Sequence, residues 1–437
     1  MKNQTSQQLL GSLCLFLSCM LWACGSGSSS SDPSAPEMLS AAAPASSNGF
    51  QIVMQNQSTQ FANSDIYWTA VCQNQSGAYC YIDSTGSLIP MSLADNTVSL
   101  GTAKNCNDTT TFANYSYPLA SLDTLSIPGG SYINSAILYL SVDSFLPICV
   151  NKNSAGVITY APPSFSNPSL QGYNTIFQAV EWTYNINADN TLNINTTNVD
   201  EVGMMILLEL QDSNTLDSVG FKVSRSNLIQ QFAACQDTNF RSLIIPGTSG
   251  DTLRILSPEH VMAGMGISSN VVQYFNDFYT DYIDDCWTFY NNKTITIYNN
   301  SKSFTGKLMR DTFFFNPGTT FGSPAFFFTK PSSSDVLSAS GEFTEGSTDQ
   351  KNVGKVIASA IYRTVFMESP SDPSDSWCGS SMKQKYFTNA PINYYGLLLH
   401  NGSHQGLCYT YGYSDVCSES ASLASTTTQQ VTLRIRD

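Results

Sequence analysis

From Phe50 to about Leu210 the chain consists of short runs in which apolar and polar residues alternate, separated by Asn, Gly, Ser and Pro. Examples are FQIVMQNQ, AILYLSV and MMILLEL. Because successive side chains of a strand point to opposite faces, such alternation places one face of each strand against a core. Short strands separated by turn residues are typical of sandwiches and barrels. The first half of the chain is therefore predicted to be a β-sandwich or barrel.

The pattern changes after Leu253, where SNVVQYFNDFYTDYIDDCWTFY places its large apolar residues at helical spacing. A second helix is predicted in KNVGKVIASAIYRTVF, and strands in KTITIYN, SPAFFFT, INYYGLLLH, LCYTYGY and QQVTLRIRD. The predicted fold is therefore mainly β with an α/β part. The β domain covers about residues 49–215 and 405–437, and the mixed α/β domain about residues 216–404.

Charge and composition limit the classes of ligand. Asp and Glu number 33 against 19 Lys and Arg, which gives a net charge of −14. Clustered Lys and Arg are absent, so a nucleic-acid partner is excluded. His260, His400 and His404 lack the spacing of metal ligands, and no CxxC occurs, so we predict no metal and no cofactor. Abundant Asn, Ser, Thr, Tyr and Phe suit either a neutral, hydroxyl-rich ligand or a secreted β protein.

The first residues of the chain resemble an export signal. Leu9 to Ala23 is an apolar run of 15 residues, shorter than the roughly 20 that a membrane-spanning helix needs. LWAC resembles a bacterial lipobox, which implies cleavage before Cys24 and lipidation of its thiol; an ordinary secretory signal is the alternative. We predict a signal peptide at 1–23, a Ser/Ala/Pro-rich tether at 24–48, and a membrane contact through the lipid only, at the bacterial envelope.

An exported protein meets an oxidising compartment, so some of its cysteines are expected to pair. Twelve cysteines are present, and three lie in the predicted signal and lipidation segment, which leaves nine. Cys72 with Cys80, and Cys408 with Cys417, are close enough in sequence to link the strands of a hairpin. Because nine is odd, at least one cysteine stays free or pairs elsewhere.

The segment EWTYNINADNTLNINTTNVD reads as a hairpin with a carboxylate at each end. Two alternating runs flank a loop predicted at Asn187–Thr191, which sets Glu181 opposite Thr197. One face of this hairpin is apolar. The other face carries donors and acceptors suited to sugar hydroxyls: Glu181, Thr183, Asn185, Asn193, Asn195 and Thr197.

Asp200 lies three residues beyond Thr197, or roughly 10 Å along an extended strand. In an extended strand, the side chain of Asp200 would point to the face opposite that of Thr197, away from the polar face. A bulge or the end of the strand must therefore turn it towards Glu181. Two carboxyl groups roughly 6.5 to 9.5 Å apart are what an inverting glycosidase requires. The alternative is a solvated strand face with two unrelated surface acids.

Several segments together resemble glycoside hydrolase family 64, the thaumatin-like β-1,3-glucanases. They are SNPSLQGYNTIFQAVEWTYN, INTTNVDEVG, MMILLEL and the closing run YYGLLLHNGSHQGLCYTYGYSDVC, which appear in the family's order across most of residues 50–430. The resemblance implies a thaumatin-like β-sandwich or barrel domain and a mixed α/β domain that form a wide groove. It also implies an enzyme that hydrolyses β-1,3-glucan internally with inversion. We predict that the protein is a monomer.

The resemblance carries residue roles over by position. Glu181 would be the general acid, and Asp200 the general base that activates water. The groups that would contact the substrate are Thr183, Asn185, Asn195, Thr197 and Asp415.

A non-catalytic, glucan-binding surface lipoprotein, such as a lectin or adhesin, is the competing hypothesis. Asn193 stands where the family tends to place an aromatic residue, and Ser414 stands where an acid often precedes Asp415. A glucan groove without hydrolysis would fit both differences.

Overall fold

The computed structural model describes residues 49–100, 110–248, 250–264, 266–299, 302–370 and 372–437. These all belong to one compact unit, Pro44–Asp437. The predicted signal peptide, the tether and Cys24 lie outside the described residues. None of the helices in the described ranges is long and apolar enough to cross a membrane.

The strands of the described residues are, in chain order, β1 (Phe50–Asn56), β2 (Ile66–Gln73), β3 (Tyr79–Ile82), β4 (Leu88–Pro90), β5 (Val98–Ser99), β6 (Thr111–Phe112), β7 (Tyr117–Pro118), β8 (Thr124–Ile127), β9 (Ile133–Val142), β10 (Cys149–Lys152), β11 (Ile158–Ala161), β12 (Phe177–Tyr184), β13 (Leu192–Asn195), β14 (Glu201–Val202), β15 (Met205–Asp212), β16 (Leu216–Gly220), β17 (Ile244–Pro246), β18 (Thr252–Leu256), β19 (Thr294–Asn299), β20 (Lys302–Met309), β21 (Thr312–Pro317), β22 (Phe326–Phe328), β23 (Ser422–Ser425) and β24 (Thr428–Arg436).

The α-helices of the same residues are α1 (Arg225–Ala233), α2 (Thr238–Arg241), α3 (Pro258–Ala263), α4 (Ser269–Asp277), α5 (Thr280–Phe289), α6 (Ser333–Leu337), α7 (Thr348–Tyr362), α8 (Ser380–Lys383) and α9 (Tyr394–Gly402). Every one of them lies after β16, so the predicted fold class, mainly β with an α/β part, is confirmed.

Two sheets pack face to face around one apolar core. The first has the order β16-β15-β24-β1-β8, and the second the order β23-β13-β12-β9-β2-β3-β4 with β7 added to β2. Alternate residues of each strand fill the space between them, among them Ile52 of β1, Trp68 of β2, Trp182 of β12 and Leu433 of β24. The alternating runs therefore form a β-sandwich, and β24 returns the end of the chain to its centre beside β1.

The α/β part has a core of its own. It contains the sheets β14-β18-β17 and β19-β20-β21-β22 with the surrounding helices. Helix α7 is central, and most residues from Val353 to Tyr362 on it are buried. Two separate cores fit the predicted division into a β domain and an α/β domain, although the domain boundaries themselves stay a prediction.

Three predictions of local structure are wrong. The helical run after Leu253 is broken at Phe278 and Tyr279 into α4 and α5. INYYGLLLH forms helix α9 rather than a strand, because Asn393 caps it by accepting the N–H of Gly396 and its apolar run has no period of two. LCYTYGY forms turns, and Tyr409 alone makes a β-bridge, with Thr197.

The predicted cysteine pairs do not form. Cys417 is bonded to Cys378 instead, with a Cα–Cα distance of 4.8 Å. Cys408 is a buried thiol whose sulfur lies 3.5 Å from the side-chain oxygen of Asn198. Cys72 and Cys80 oppose each other on β2 and β3, and both are buried free thiols.

Candidate functional site

The hairpin β12–β13 forms as predicted in its faces but not in its register. Glu181 lies opposite Asn195, and Tyr184 lies opposite Leu192. The loop is therefore two residues longer than predicted, from Asn185 to Thr191, and the predicted pairing of Glu181 with Thr197 is wrong. Because the shift is an even number of residues, the faces are preserved. Trp182 enters the sandwich core, and Glu181 points to the opposite face.

Asn185 is not on the polar face of the strand, contrary to prediction. It begins the loop with φ 56°, a left-handed conformation that Asn tolerates better than most residues. Its side-chain oxygen accepts the N–H of Asn190 at 3.0 Å, and its own N–H donates to the carbonyl of Thr191 at 2.9 Å. Asn185 therefore holds the loop together rather than lining the strand.

The segment between Asn195 and Val202 carries Asp200 away from the sheet. Strand β13 ends at Asn195, and six residues later, at Glu201, β14 begins to pair with β18 in the α/β part. Buried Gln178 holds both sides of this crossing: its amide donates to the Thr197 carbonyl at 2.8 Å, and its oxygen accepts the N–H of Gly203 at 3.0 Å. The strand end, rather than a bulge, thus redirects the chain before Asp200.

Gly203 is required at the end of this crossing by close packing. A Cβ atom there would lie 2.0 Å from the carbonyl oxygen of Phe177. The backbone of the crossing can approach β12 this closely only without a side chain.

Asp200 and Glu201 point in different directions. Glu201 is buried and forms an ion pair with Arg254, which is also fully buried. Arg254 additionally donates to the carbonyls of Tyr173 at 2.8 Å and Thr175 at 2.7 Å. Asp200 is half exposed, and its backbone carbonyl accepts the N–H of Ser257 at 2.9 Å. The buried pair therefore fixes the backbone while the neighbouring carboxylate faces solvent.

The Glu181 carboxyl has a raised pKa. Burial, and to a smaller extent the negative charge of Asp200, raise the pKa from its ordinary 4.5 to about 7. The Asn195 amide, 3.4 Å from Oε2 of Glu181, acts in the opposite direction. A carboxyl with a pKa near 7 keeps its proton in mildly acidic solution, as a general acid must.

Tyrosines surround the two carboxylates. The negative charges of Glu181 and Asp200 both help to raise the pKa of buried Tyr139, whose hydroxyl is hydrogen-bonded to Tyr160. Tyr409 has its pKa raised by burial first, and then by Asp415 and Glu181. Tyr139 thus lies near both Glu181 and Asp200, and Tyr409 lies near both Glu181 and exposed Asp415.

Three other residues that were predicted to contact the substrate lie near Glu181 and Tyr409. Thr183 and Asn195 flank Glu181 on the polar face, and Thr197 bridges to Tyr409. The hydroxyl of Thr183 and the side-chain oxygen of Asn195 are buried and have no protein partner. Unpaired buried polar atoms are costly unless a ligand or water supplies the missing hydrogen bond.

Ser414 does not face this site. Its side chain is buried, and its hydroxyl oxygen accepts the N–H groups of Thr410 at 3.1 Å and Tyr411 at 3.2 Å. It therefore shapes the turn that presents Asp415. Asn193 is half-buried on β13, opposite Thr183.

His260 is the residue that sequence reasoning missed. Its Nε2 lies 2.5 Å from Oδ1 of Asp200, although 60 residues separate them. No pattern in the sequence links the two residues, and the contact arises from the packing of α3 against the crossing. Among the described residues, no group of three or more His, Cys, Asp or Glu side chains is arranged to hold a metal ion.

Comparison with known proteins gives relatives in sequence and in structure. The chain is 23% identical over 263 residues to the glucan endo-1,3-beta-glucosidases of Cellulosimicrobium cellulans and of Arthrobacter sp. strain YCWD3, a match that covers 58% of this chain and 44% of theirs. The chain thus spans less than half the length of these curated relatives.

Solved structures match over a larger share. A beta-1,3-glucanase domain from Clostridium beijerinckii is 25% identical, with a TM-score of 0.77 over 90% of this chain and 99% of that one. A laminaripentaose-producing beta-1,3-glucanase from Paenibacillus barengoltzii is 23% identical, with a TM-score of 0.63 over 90% of this chain and 76% of that one. The resemblance found in the sequence is confirmed by a family model that matches residues 48–435, so the chain belongs to glycoside hydrolase family 64, described as beta-1,3-glucanase.

Proposed function

We propose that this protein hydrolyses β-1,3-glucan at internal linkages with inversion of the anomeric centre, with Glu181 as general acid and Asp200 as general base. The observation that carries the proposal is the unequal state of two neighbouring carboxyls. Burial and the charge of Asp200 raise the pKa of Glu181 to about 7, whereas Asp200 is half exposed. Two carboxyls in contrasting environments are the arrangement that acid–base hydrolysis of a glycosidic bond requires.

Glu181 supplies the proton. Departure of a sugar hydroxyl as an alkoxide is unfavourable, so the leaving oxygen must be protonated as the bond breaks. At pH 6 a carboxyl with a pKa of about 7 is about 90% protonated, against about 3% for one at 4.5. The buried surroundings of Glu181 thus keep its carboxyl group protonated in mildly acidic solution.

Asp200 supplies the base. In an inverting mechanism, a carboxylate on the opposite side of the sugar ring accepts a proton from the attacking water. The half-exposed position of Asp200 leaves its carboxylate accessible to that water. The backbone of Asp200 is held by Ser257, and the adjoining Glu201 is anchored by Arg254. The backbone from which the Asp200 carboxylate extends is therefore held in place.

The residues proposed to contact the substrate lie beside the two carboxyl groups. Thr183 and Asn195 present buried polar atoms that lack protein partners beside the proposed acid. We propose that hydroxyls of the glucan complete these hydrogen bonds, with Thr197 and Asp415 further along the site. Asn185 contributes through the loop conformation rather than by direct contact.

The test is hydrolysis of laminarin by the purified domain. The wild-type protein should lower the viscosity of a long β-1,3-glucan before much reducing sugar appears, which marks internal cleavage. Asp200→Asn should fold normally, bind laminarin and hydrolyse it at least about 100-fold more slowly than the wild type. Full hydrolysis by that variant would contradict the assignment, and glucan binding by the wild type without any product would favour the lectin hypothesis. Ser414 no longer supports that hypothesis, because its hydroxyl is used within a turn.

We propose further that the protein is exported as a monomer and attached to the bacterial envelope by lipid at Cys24. The support is the apolar run Leu9–Ala23, the LWAC sequence and the Ser-rich tether that follows. Labelled fatty acid should enter the wild-type chain in cells but not Cys24→Ser. Equal labelling of both would contradict the anchor.

A further inference from the structure

A histidine from the α/β part contacts the carboxylate at the end of the hairpin crossing. Nε2 of His260 lies 2.5 Å from Oδ1 of Asp200. The imidazole is 21% exposed, whereas Asp200 is 50% exposed. One oxygen of Asp200 is therefore held from the protein side while the carboxylate remains open to solvent.

His260 is itself fixed in orientation. It lies in the first turn of α3, and the residue before that helix, Ser257, donates its N–H to the Asp200 carbonyl at 2.9 Å. The Phe165 ring packs against the imidazole in a T-shaped arrangement, with ring centroids 4.5 Å apart. The carbonyl of Phe165 in turn accepts a hydrogen bond from Arg254 at 3.3 Å. Backbone and side chain of Asp200 are thus both tied to one rigid unit.

The charges around the imidazole are mainly negative. Burial on its own would lower the pKa of His260, but the hydrogen bond and charge of Asp200 raise it above its ordinary 6.5, and the charges of Glu259 and Glu201 contribute. The cation Arg254 is paired with Glu201. The raised pKa favours the imidazolium form of His260, which donates a stronger hydrogen bond to a carboxylate oxygen than a neutral imidazole does.

We propose that His260 is a positioning residue for the water-activating carboxylate: it fixes the rotamer of Asp200 by holding Oδ1, so that Oδ2 faces the attacking water. This inference rests on the function proposed above and adds a third residue to the site. Without this contact, the half-exposed Asp200 side chain would rotate between rotamers, and in many of them neither carboxylate oxygen would face the attacking water. A misplacement of about 1 Å at a reacting group is enough to cost roughly 100-fold in rate.

Two polar substitutions of His260 separate positioning from general structural support. The amide nitrogen of Gln reaches the place of Nε2, so His260→Gln keeps a donor to Asp200, whereas that of Asn reaches only the place of Nδ1. We expect His260→Asn to lower kcat on laminarin by about 100-fold with KM nearly unchanged. His260→Gln should retain kcat within about tenfold of wild type, since it restores the hydrogen bond but not the charge.

A matched control removes a different ion pair. Lys330 lies 2.8 Å from Asp284 in an ion pair that includes no residue of the proposed site, and Lys330→Gln should leave kcat unchanged. If His260 served only to stabilise α3, both His260 variants would lose thermal stability similarly and keep kcat per folded molecule. A kcat for His260→Asn within threefold of wild type overturns the proposal.

A double-mutant cycle distinguishes this inference from the proposed function itself. If His260 acts through Asp200, His260→Asn should cause no further loss of single-turnover rate in an Asp200→Asn background. A full additional 100-fold loss in that background shows that His260 acts independently, which overturns the positioning role. If Asp200→Asn alone remains fully active, the proposed function fails first. If Asp200→Asn is strongly impaired and His260→Asn is fully active, only the inference about His260 fails.

Discussion

Replacing Glu181 with Gln tests the raised pKa at the centre of the site. Gln is nearly isosteric and neutral but cannot donate a carboxylic proton. General acids contribute about 10² to 10⁴ in rate, and glucan has a poor leaving group, so we expect kcat on laminarin at pH 6 to fall by about 10³-fold. An aryl β-laminarioside whose phenolate leaves without a proton should be cleaved by the variant at close to the wild-type rate.

The same substitution has a predicted effect on stability. The folded pKa of Glu181 is about 7 against an ordinary 4.5. Because the folded pKa is the higher one, the folded state binds this proton more tightly, and that stabilisation is lost as the pH rises from 4.5 to about 7. At about 1.4 kcal/mol for each pH unit, the loss is roughly 3 to 4 kcal/mol. Glu181→Gln avoids it, so the variant should gain stability over wild type between pH 4 and pH 8.

Urea unfolding followed by tryptophan fluorescence measures this difference, and initial rates on both substrates measure the catalytic effect. Glu209→Gln is the matched control, because Glu209 pairs with Arg434 on the other sheet of the sandwich. That control should keep full activity and show no growing stability gain. The reasoning is refuted if Glu181→Gln retains a tenth of the laminarin activity, or if its stability relative to wild type is the same at pH 4 and pH 8.

Three further predictions concern the surroundings of the site. Asn195→Leu removes an amide that lowers the pKa of Glu181, so the alkaline fall in kcat should move to higher pH; an unchanged pH profile would contradict this. Arg254→Met leaves Glu201 buried without its partner, and the free energy of unfolding at pH 7.5 should drop by about 3 to 5 kcal/mol; a drop below 1 kcal/mol would show that the pair is dispensable. Cys378→Ser opens a disulfide that closes a separation of 39 residues, so unfolding should become easier by about 4 kcal/mol, and equal midpoints with and without the bond would refute that estimate.

The faces of the hairpin were predictable from sequence, but its register was not. Alternation with a period of two assigns Glu181 and Trp182 to opposite faces whatever the loop length. The register depends on the loop, and the left-handed conformation of Asn185 lengthened it by two residues. Likewise, the sequence required a change of direction before Asp200 but gave no sign that buried Gln178 would hold both ends of it.

Contacts between distant segments account for the remaining differences. His260 meets Asp200 only because α3 packs against the crossing, and no local pattern announces that contact. Cys417 pairs with Cys378 rather than its near neighbour Cys408, since the fold brings the former closer. The strand predicted at INYYGLLLH is a helix because a short apolar run without periodicity fits either state.

The configuration of the first product formed from laminarin tests most directly whether Glu181 and Asp200 act as an acid and a base on opposite sides of the scissile bond. Proton NMR during the first minutes of hydrolysis, before mutarotation, distinguishes the two anomers. An attack by water that Asp200 activates predicts the α-anomer first. Initial release of the β-anomer would require a covalent intermediate and would contradict the assignment of Asp200 as the base.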